Sequence, residues 1–530
     1  MKRTIRMGTL MLALLMAFSL MPALSSAEEA SAGMEGMPEE LTIFCGMNDW
    51  LAKAGVDMHA SEAYNEIERV TGTKINWINP TSAAVNEQFN LMIVSGDLPD
   101  IIAYNWMTVV GGIQKYVDDG IIVDMTPYID NGDMPSISKM FEEYPIVEKQ
   151  IRQDNGCVYY MPIVRKDDEL RIWNGPQIRM DWLEELNLEV PDTTDDLYNV
   201  LVAFKEAYGD KPNFYPMTAG KFTDYSQGIG QLCFSFNSTW QFLTDPEGKT
   251  IKYGPIEPEF KEAIAYIRKL VEEGLVDPNY VTNVRDDIDA AMISGDAGFL
   301  FNTQVTKLAE LFEAQGIENP LKPIPYLRGP NPQSDKAPVF YDYAGANITD
   351  GSMAVSTKAK DLLGALKWVD FQYSEQGEVI RNYGIEGVSY NEVDGRKVIT
   401  ELVTDNPEYD INTASAVYTP AKVGVFTGIQ RYDSWVQTSH PDGVDCVVQY
   451  MSRVDQSMVV PPISMTGDEQ AEYATIMTDI ETYLTETVDK VILGQYELDY
   501  LDTMVEQMKN MGIERAIELK QAALDRYNAR

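Results

Sequence analysis

Histidine is nearly absent from this chain: 530 residues contain two, His59 and His440. Neither has a neighbouring ligand at metal spacing, and two imidazoles leave little material for zinc sites or a Ser-His-Asp relay. Basic residues are also scarce, with 42 Lys and Arg against 82 Asp and Glu, a formal charge of −40. Phosphate binding depends on basic patches and released counterions, so most nucleic-acid roles are excluded. Anchoring to anionic lipid is disfavoured for the same reason. Cysteine is limited to Cys45, Cys157, Cys233 and Cys446. No two of them form a CxxC, so a metal knuckle or redox motif is missing, and the four allow three full disulfide pairings or four free thiols. Also missing are GxSxG, HExxH, a GxGxxG after a strand, and GxxxxGK followed by Ser or Thr. Asp245-Pro246-Glu247-Gly248 misses calcium-loop spacing and reads as a hairpin turn between 240–242 and 250–253. Carboxylate pairs carry no signal among 82 acids, so a glycosidase is not excluded by motif, but nothing positive supports one.

What is present describes a large exported protein. Hydrophobic content of 45% with 10% aromatics argues against disorder, and the length predicts three or four domains or two large ones. Lys2, Arg3 and Arg6 precede a run from Met7 to Leu24 that is almost wholly apolar, broken by Pro22 and followed by Ser25-Ser26-Ala27. That order predicts a secretory signal over residues 1–27, the alternative being an uncleaved anchor. Removing three basic residues leaves 39 against 82 acidic, a charge of −43. No cysteine follows the apolar run at lipobox position, and no later stretch is long and apolar enough to span a bilayer. Residues 28–39 are acidic, small and aperiodic, a flexible tether.

From Glu40 short apolar runs alternate with helical periods, the pattern of an α/β protein. Strands are predicted at 41–45, 74–78, 99–104 and 158–164. Ser61 caps a predicted helix that Gly72 stops, and Thr193 with Asp196 forms a capping-box pair ahead of Leu197, Val200, Leu201 and Phe204. Further amphipathic helices are predicted over 260–274 and 356–376, and the last 60 residues are helical with breaks near Gly494 and Gly512. There is no internal repeat.

Aromatics at predicted strand ends are the informative feature. Trp50 follows Asn48-Asp49, Trp106 follows Asn105, and Trp173 stands between Arg171 and Asn174. In open α/β sheets ligands bind beyond the carboxyl ends of strands. Flat rings stack on the apolar face of a sugar, while neighbouring amides, carboxylates and guanidinium groups bond its hydroxyls.

Several segments together resemble the extracellular solute-binding proteins of family 1, in the branch allied to the lipoprotein LplA. Phe89 to Ile102, with Ser95-Gly96-Asp97-Leu98-Pro99-Asp100, resembles the signature that ends the third strand of that family's first lobe. Arg179-Met180-Asp181-Trp182-Leu183 through Val190-Pro191 resembles its entry to the second lobe. Gly295-Asp296-Ala297-Gly298, Tyr383-Gly384-Ile385-Glu386-Gly387 and the tail from Met511 to Tyr527 resemble later segments in the same order. The resemblance implies a two-lobed periplasmic-binding-protein-like fold of type II, with three crossovers near 165–173, 301–304 and 383–387. Lobe 1 would be 40–168 plus 303–385, and lobe 2 would be 172–300 plus 386–530. On that map Cys45 and Cys157 share one lobe and Cys233 and Cys446 the other. It further implies carbohydrate capture by hinge closure, delivery to an ABC permease, a monomeric state and no catalytic residues. The expected ligand-binding set is Asn48, Asp49, Trp50, Asn105, Trp106, Trp173, Arg179, Asp181, Tyr225, Trp240, Asn302, Gln304, Tyr343 and Glu386. No cofactor or metal is carried over, because the stretch 208–213 is missing the acidic loop that some relatives use for calcium. The competing readings are a secreted glycosidase or lyase, an adhesive surface protein, and a binder of peptide or another polar solute.

Overall fold

A computed structural model describes residues 34–303, 306–330, 335–340, 346–420 and 426–530. The expected signal peptide and most of the expected tether lie outside these residues. Nine strands build the two main sheets: β1 (Glu40–Cys45), β2 (Lys74–Ile78), β3 (Ile101–Tyr104), β4 (Met161–Arg165), β5 (Asn174–Arg179), β6 (Phe299–Thr303), β7 (Leu321–Pro323), β8 (Ile348–Val355) and β9 (Gly428–Gln430).

The first sheet runs in the order β9-β4-β8-β3-β1-β2, parallel except for β8, which is antiparallel to both neighbours. Both its faces are covered, so successive side chains serve different cores. Leu41, Ile43, Cys45, Ile101 and Ala103 point into one, while Phe44 and Ile102 join Phe89 and Trp106 in the other. The acidic end of the 89–102 signature is structural. Asp100 is buried, and its carboxylate accepts from the backbone N–H groups of Thr42 (2.7 Å) and Lys360 (2.8 Å). Gly96, in a left-handed conformation (φ 70°), ends the preceding helix Val85–Ser95.

The second sheet is short, β6-β5-β7, with antiparallel pairs. Its core collects helices Thr194–Tyr208, Pro258–Glu272 and Gly467–Ile492 and much of Tyr500–Met511 and Ile513–Ala529. The capping box at Thr193 and Asp196 is formed. A second one, Thr466 with Glu469, starts the 26-residue helix Gly467–Ile492. The hairpin at Asp245 joins Phe242–Thr244 to Ile251–Tyr253, with Asp245 accepting from the Lys249 N–H at 2.7 Å.

Several expectations are corrected. Strand β9 pairs with β4, and the hairpin Tyr390–Val393/Arg396–Ile399 and helix Ile411–Tyr418 pack beside Tyr383, so the chain stays in the first lobe well past Gly387. It leaves between Gln430 and the helix Pro441–Met451, whose Cys446 and Tyr450 enter the second core. Likewise Leu308, Phe312, Ile324 and Phe340 still belong to the second core, and the first lobe resumes at Ala346. The expected crossovers at 301–304 and 383–387 are therefore displaced towards the carboxyl end, because helical periodicity does not reveal which sheet an element covers. The single helix expected over 356–376 is two, Leu362–Phe371 and Glu375–Tyr383, and Ser374 caps the second. Ser61 stands at an N-cap but donates its hydroxyl to the Val417 carbonyl instead. The expected tether ends earlier than Glu39, since Pro38 is buried and its carbonyl accepts from Thr73. No disulfide forms. Cys45 and Cys157 sit on opposite faces of the first sheet, and burial pushes the Cys45 thiol up to about 12.

Gly298, at the end of the 295–298 motif, is a packing glycine. A Cβ there would lie 2.5 Å from the Trp182 ring and 2.8 Å from Phe204. Gly298→Ala should therefore destabilise the second lobe by about 1–3 kcal/mol through overpacking. Denaturant unfolding followed by second-lobe tryptophan fluorescence checks this, and an unchanged midpoint would refute it.

Candidate functional site

Between the two lobes lies a cleft of about 1530 Å³. Its first wall is built at the carboxyl ends of first-sheet strands. Trp50 lies in helix Asp49–Ala54 beyond β1, and Asn105 and Trp106 follow β3 directly. Asn48 caps that short helix by accepting from the Trp50 and Leu51 N–H groups, which fixes where Trp50 emerges, 36% exposed. Lys53 lies 5.4 Å over the Trp50 ring and is held at 2.6 Å by Asp410. The opposite wall carries Tyr225, Arg285, Thr303 and Lys307, then the loop Val460–Thr466 with Tyr473 and Lys520.

The floor is made where the chain crosses between lobes. Arg165 ends β4, Asn174 begins β5, and Trp173 stands between them, all three lining the cleft. The Arg165 guanidinium lies 5.2 Å over the Trp173 ring. Trp435, from the return crossing, meets Trp173 edge-on at 6.1 Å and stacks on Tyr432 at 5.5 Å. Leu170 and Val447 complete this small core. The Trp173 indole N–H is buried with no acceptor among the described residues.

Of the sequence-predicted residues, Trp50, Asn105, Trp106, Trp173 and Tyr225 line the cleft. Trp106 does so as core: it is 1% exposed, its indole N–H donates to the Ile102 carbonyl at 3.0 Å, and Phe89 and Tyr116 meet it edge-on. Seven of the others do not line the cleft. Asn48 is a cap, and Asp49 accepts from Ser82 at 2.5 Å. Arg179 and Asp181 pair with each other at 2.6 and 2.8 Å, with the guanidinium over Trp182, away from the cleft. Trp240 is buried against Phe234. Asn302 is fully buried, exchanging hydrogen bonds with Gln227 (3.2 Å) and Gln177 (3.5 Å). Glu386 is exposed on a first-lobe turn and does not line the cleft. Gln304 and Tyr343 lie outside the described residues. Sequence reasoning missed Arg165, Tyr159, Tyr473, Lys520 and Arg530. For the 460–466 loop a signal existed, Pro461-Pro462 just ahead of a capping box.

The cleft is not acidic, although the chain is. Lys53, Arg165, Arg285, Lys307, Lys520 and Arg530 line it against Asp154, Glu310 and Asp410. Burial and then the nearby Asp410 charge push the Glu310 carboxyl above its ordinary range. Among the described residues, no group of three His, Cys, Asp or Glu is arranged to hold a metal.

One end of the cleft is bridged. Asp154, in the first-lobe loop after helix Pro145–Ile151, is gripped by Arg526 and Arg530 of the last helix. Ser464 donates to the same carboxylate at 3.2 Å, and Arg526 is also held by Glu469 at 2.6 Å. Lys149 lies 4.5 Å over the Tyr527 ring.

Two α/β lobes, a sheet order with one antiparallel strand inserted, and a cleft floored by the crossings define a type II two-lobed binding protein. Residues 53–379 match the bacterial extracellular solute-binding proteins, and the chain belongs to that family. It is 25% identical over 490 residues to the fructooligosaccharide ABC transporter substrate-binding protein FusA of Streptococcus pneumoniae serotype 4 (strain ATCC BAA-334 / TIGR4), covering 87% of this chain and 86% of that one. It is 27% identical over 367 residues to the lipoprotein LipO of Bacillus subtilis (strain 168), covering 65% and 67%. The solved structure of S. pneumoniae FusA with kestose superposes with a TM-score of 0.71 at 22% identity, over 92% of this chain and 99% of that one. Membership makes this a binding protein rather than an enzyme.

The bridge at Asp154 supports a prediction about the free protein. Hydrogen bonds to charged groups are worth about 1.5–3 kcal/mol each. Asp154→Asn should remove about 1–3 kcal/mol of preference for the closed arrangement and raise the ligand-free radius of gyration in small-angle scattering. An unchanged radius would show that this contact does not hold the lobes together.

Proposed function

We propose that the protein captures an oligosaccharide in the interlobe cleft and presents the closed form to an ABC importer at the cell envelope, after export directed by its N-terminal apolar segment. The observation that carries this is the cleft itself. Its volume of about 1530 Å³ exceeds the roughly 300–1,000 Å³ of small-molecule pockets, so it has room for several sugar rings. Aromatic rings from both lobes and the crossing face it, namely Trp50, Tyr159, Trp173, Tyr225 and Tyr473, interleaved with Asn105, Gln114, Asn155 and Arg165. That mixture of flat apolar faces and hydrogen-bonding groups suits a ligand with alternating C–H faces and hydroxyls. The fructooligosaccharide-binding relative supports the same class of ligand.

Closure follows from differential contact. A sugar touching Trp50 on one wall and Tyr225 on the other gains both sets of contacts only when the walls approach, so it favours the closed population. Trp173 stands on the moving joint, which places ligand contact and hinge angle in one side chain.

The test is a thermal-shift and calorimetric screen of the full chain against neutral and acidic oligosaccharides, since a ligand of the native state raises apparent stability. Trp173→Ala should weaken binding of the best sugar roughly 10- to 100-fold, with ligand-free melting little changed. Trp106→Ala should instead lower ligand-free stability by about 3–5 kcal/mol, the cost of a core aromatic. No shift with any soluble oligosaccharide, or release of new reducing ends on incubation, would overturn the reading.

A further inference from the structure

The first lobe contains a cluster of buried polar atoms without partners, away from the cleft. Arg381, in helix Glu375–Tyr383, is 2% exposed. One of its terminal nitrogens, Nη1, donates to the Phe426 carbonyl and to the Thr427 carbonyl at 2.9 Å. Its Nε and Nη2 are buried with no acceptor among the described residues. The same holds for three further donors in this region: the Tyr64 hydroxyl, the Trp368 indole N–H and the Trp77 indole N–H. These side chains converge on Phe426. Tyr64 meets its ring at 5.0 Å, Trp368 at 6.0 Å and Trp77 at 6.3 Å, and Tyr64 meets Trp77 at 5.1 Å.

The chemistry of this cluster is one-sided. Every unpaired group is a donor, and one carries a permanent positive charge. A buried charge without a partner costs several kcal/mol, and an unpaired buried donor about 1–3 kcal/mol more. Among the described residues no carboxylate offsets the guanidinium. The groups that bear on it electrostatically are the hydroxyls of Tyr64 and Tyr373, and burial lowers its pKa to about 10, which keeps it charged at neutral pH. Asp370 is engaged elsewhere, accepting from the Ser136 and Ile137 N–H groups at 3.1 and 2.9 Å. A neutral water would satisfy hydrogen bonds but leave the charge uncompensated. A small anion supplies the acceptor and the countercharge together.

We propose that the core of the first lobe holds a buried halide-sized anion, chloride in an extracellular setting, bound by Arg381 with Tyr64, Trp77 and Trp368 as further donors. Its consequence is stability that depends on chloride concentration, because an anion bound to the folded lobe alone stabilises it by mass action.

The experiment measures melting of the full chain at constant ionic strength while sodium chloride replaces sodium gluconate. The wild type should melt progressively higher as chloride rises. Tyr64→Phe keeps the ring and removes one donor. It should melt in gluconate at or above the wild-type temperature, since an unpaired buried hydroxyl is lost, and should need about fivefold more chloride for the same gain. Arg381→Met should abolish the chloride response. Should that variant fail to fold, crystals of the wild type soaked in bromide decide independently. An anomalous peak within hydrogen-bond distance of Arg381 Nε or Nη2 supports the site. A chloride-independent melting temperature, or density showing only water or protein carbonyls at those nitrogens, overturns it.

Discussion

Strands β3 and β4 never touch. The strand between them, β8, arrives only after the chain has left the first lobe and assembled most of the second. This one pairing governs the rest of the molecule. The first sheet cannot be completed until the excursion into the second lobe has returned, so the lobes are tied by crossings rather than by a single linker. The crossings and the floor of the cleft are thus the same residues, with Trp173 packed against Trp435 on the return path.

Charge is distributed with the same logic. A chain of net charge −40 repels itself, and acids facing each other across a narrow cleft would hold it open. Instead the facing walls carry more basic than acidic side chains, and at one end Asp154 inserts between Arg526 and Arg530. Arg526 lies in the final helix, which otherwise packs within the second lobe, and Arg530 follows it directly. The buried guanidinium of Arg381 stands in contrast, since its lobe provides it with carbonyls but no countercharge.

Much of the fold was legible in the residues because it rests on local chemistry. Short apolar runs marked β1 and β3, the Thr193–Asp196 pair marked a helix start, and glycines with positive φ marked helix ends at Gly72 and Gly512. The site was less legible. Trp50, Trp106 and Trp173 share one sequence signal, an aromatic after a strand beside a polar residue, yet one is a partly exposed wall, one is core and one is a hinge. The role of Trp106 follows from Phe89 and Tyr116, which arrive from other elements. Glu386 and the Arg179–Asp181 pair misled for the opposite reason, since their motifs preserve a turn and a helix entry rather than a ligand contact.

The residues by themselves determined the class of structure and the family, because composition, periodicity and ordered short motifs act over a few positions. Tertiary structure alone decided where the chain crosses between lobes, since strand pairing such as β9 on β4 joins residues more than 260 positions apart. It alone placed Arg165, Lys520 and Arg530 in one cleft and Asp154 in the grip of the last helix. Long-range packing and charge pairing have no signature along the chain, because their partners are neighbours only after the sheet has closed.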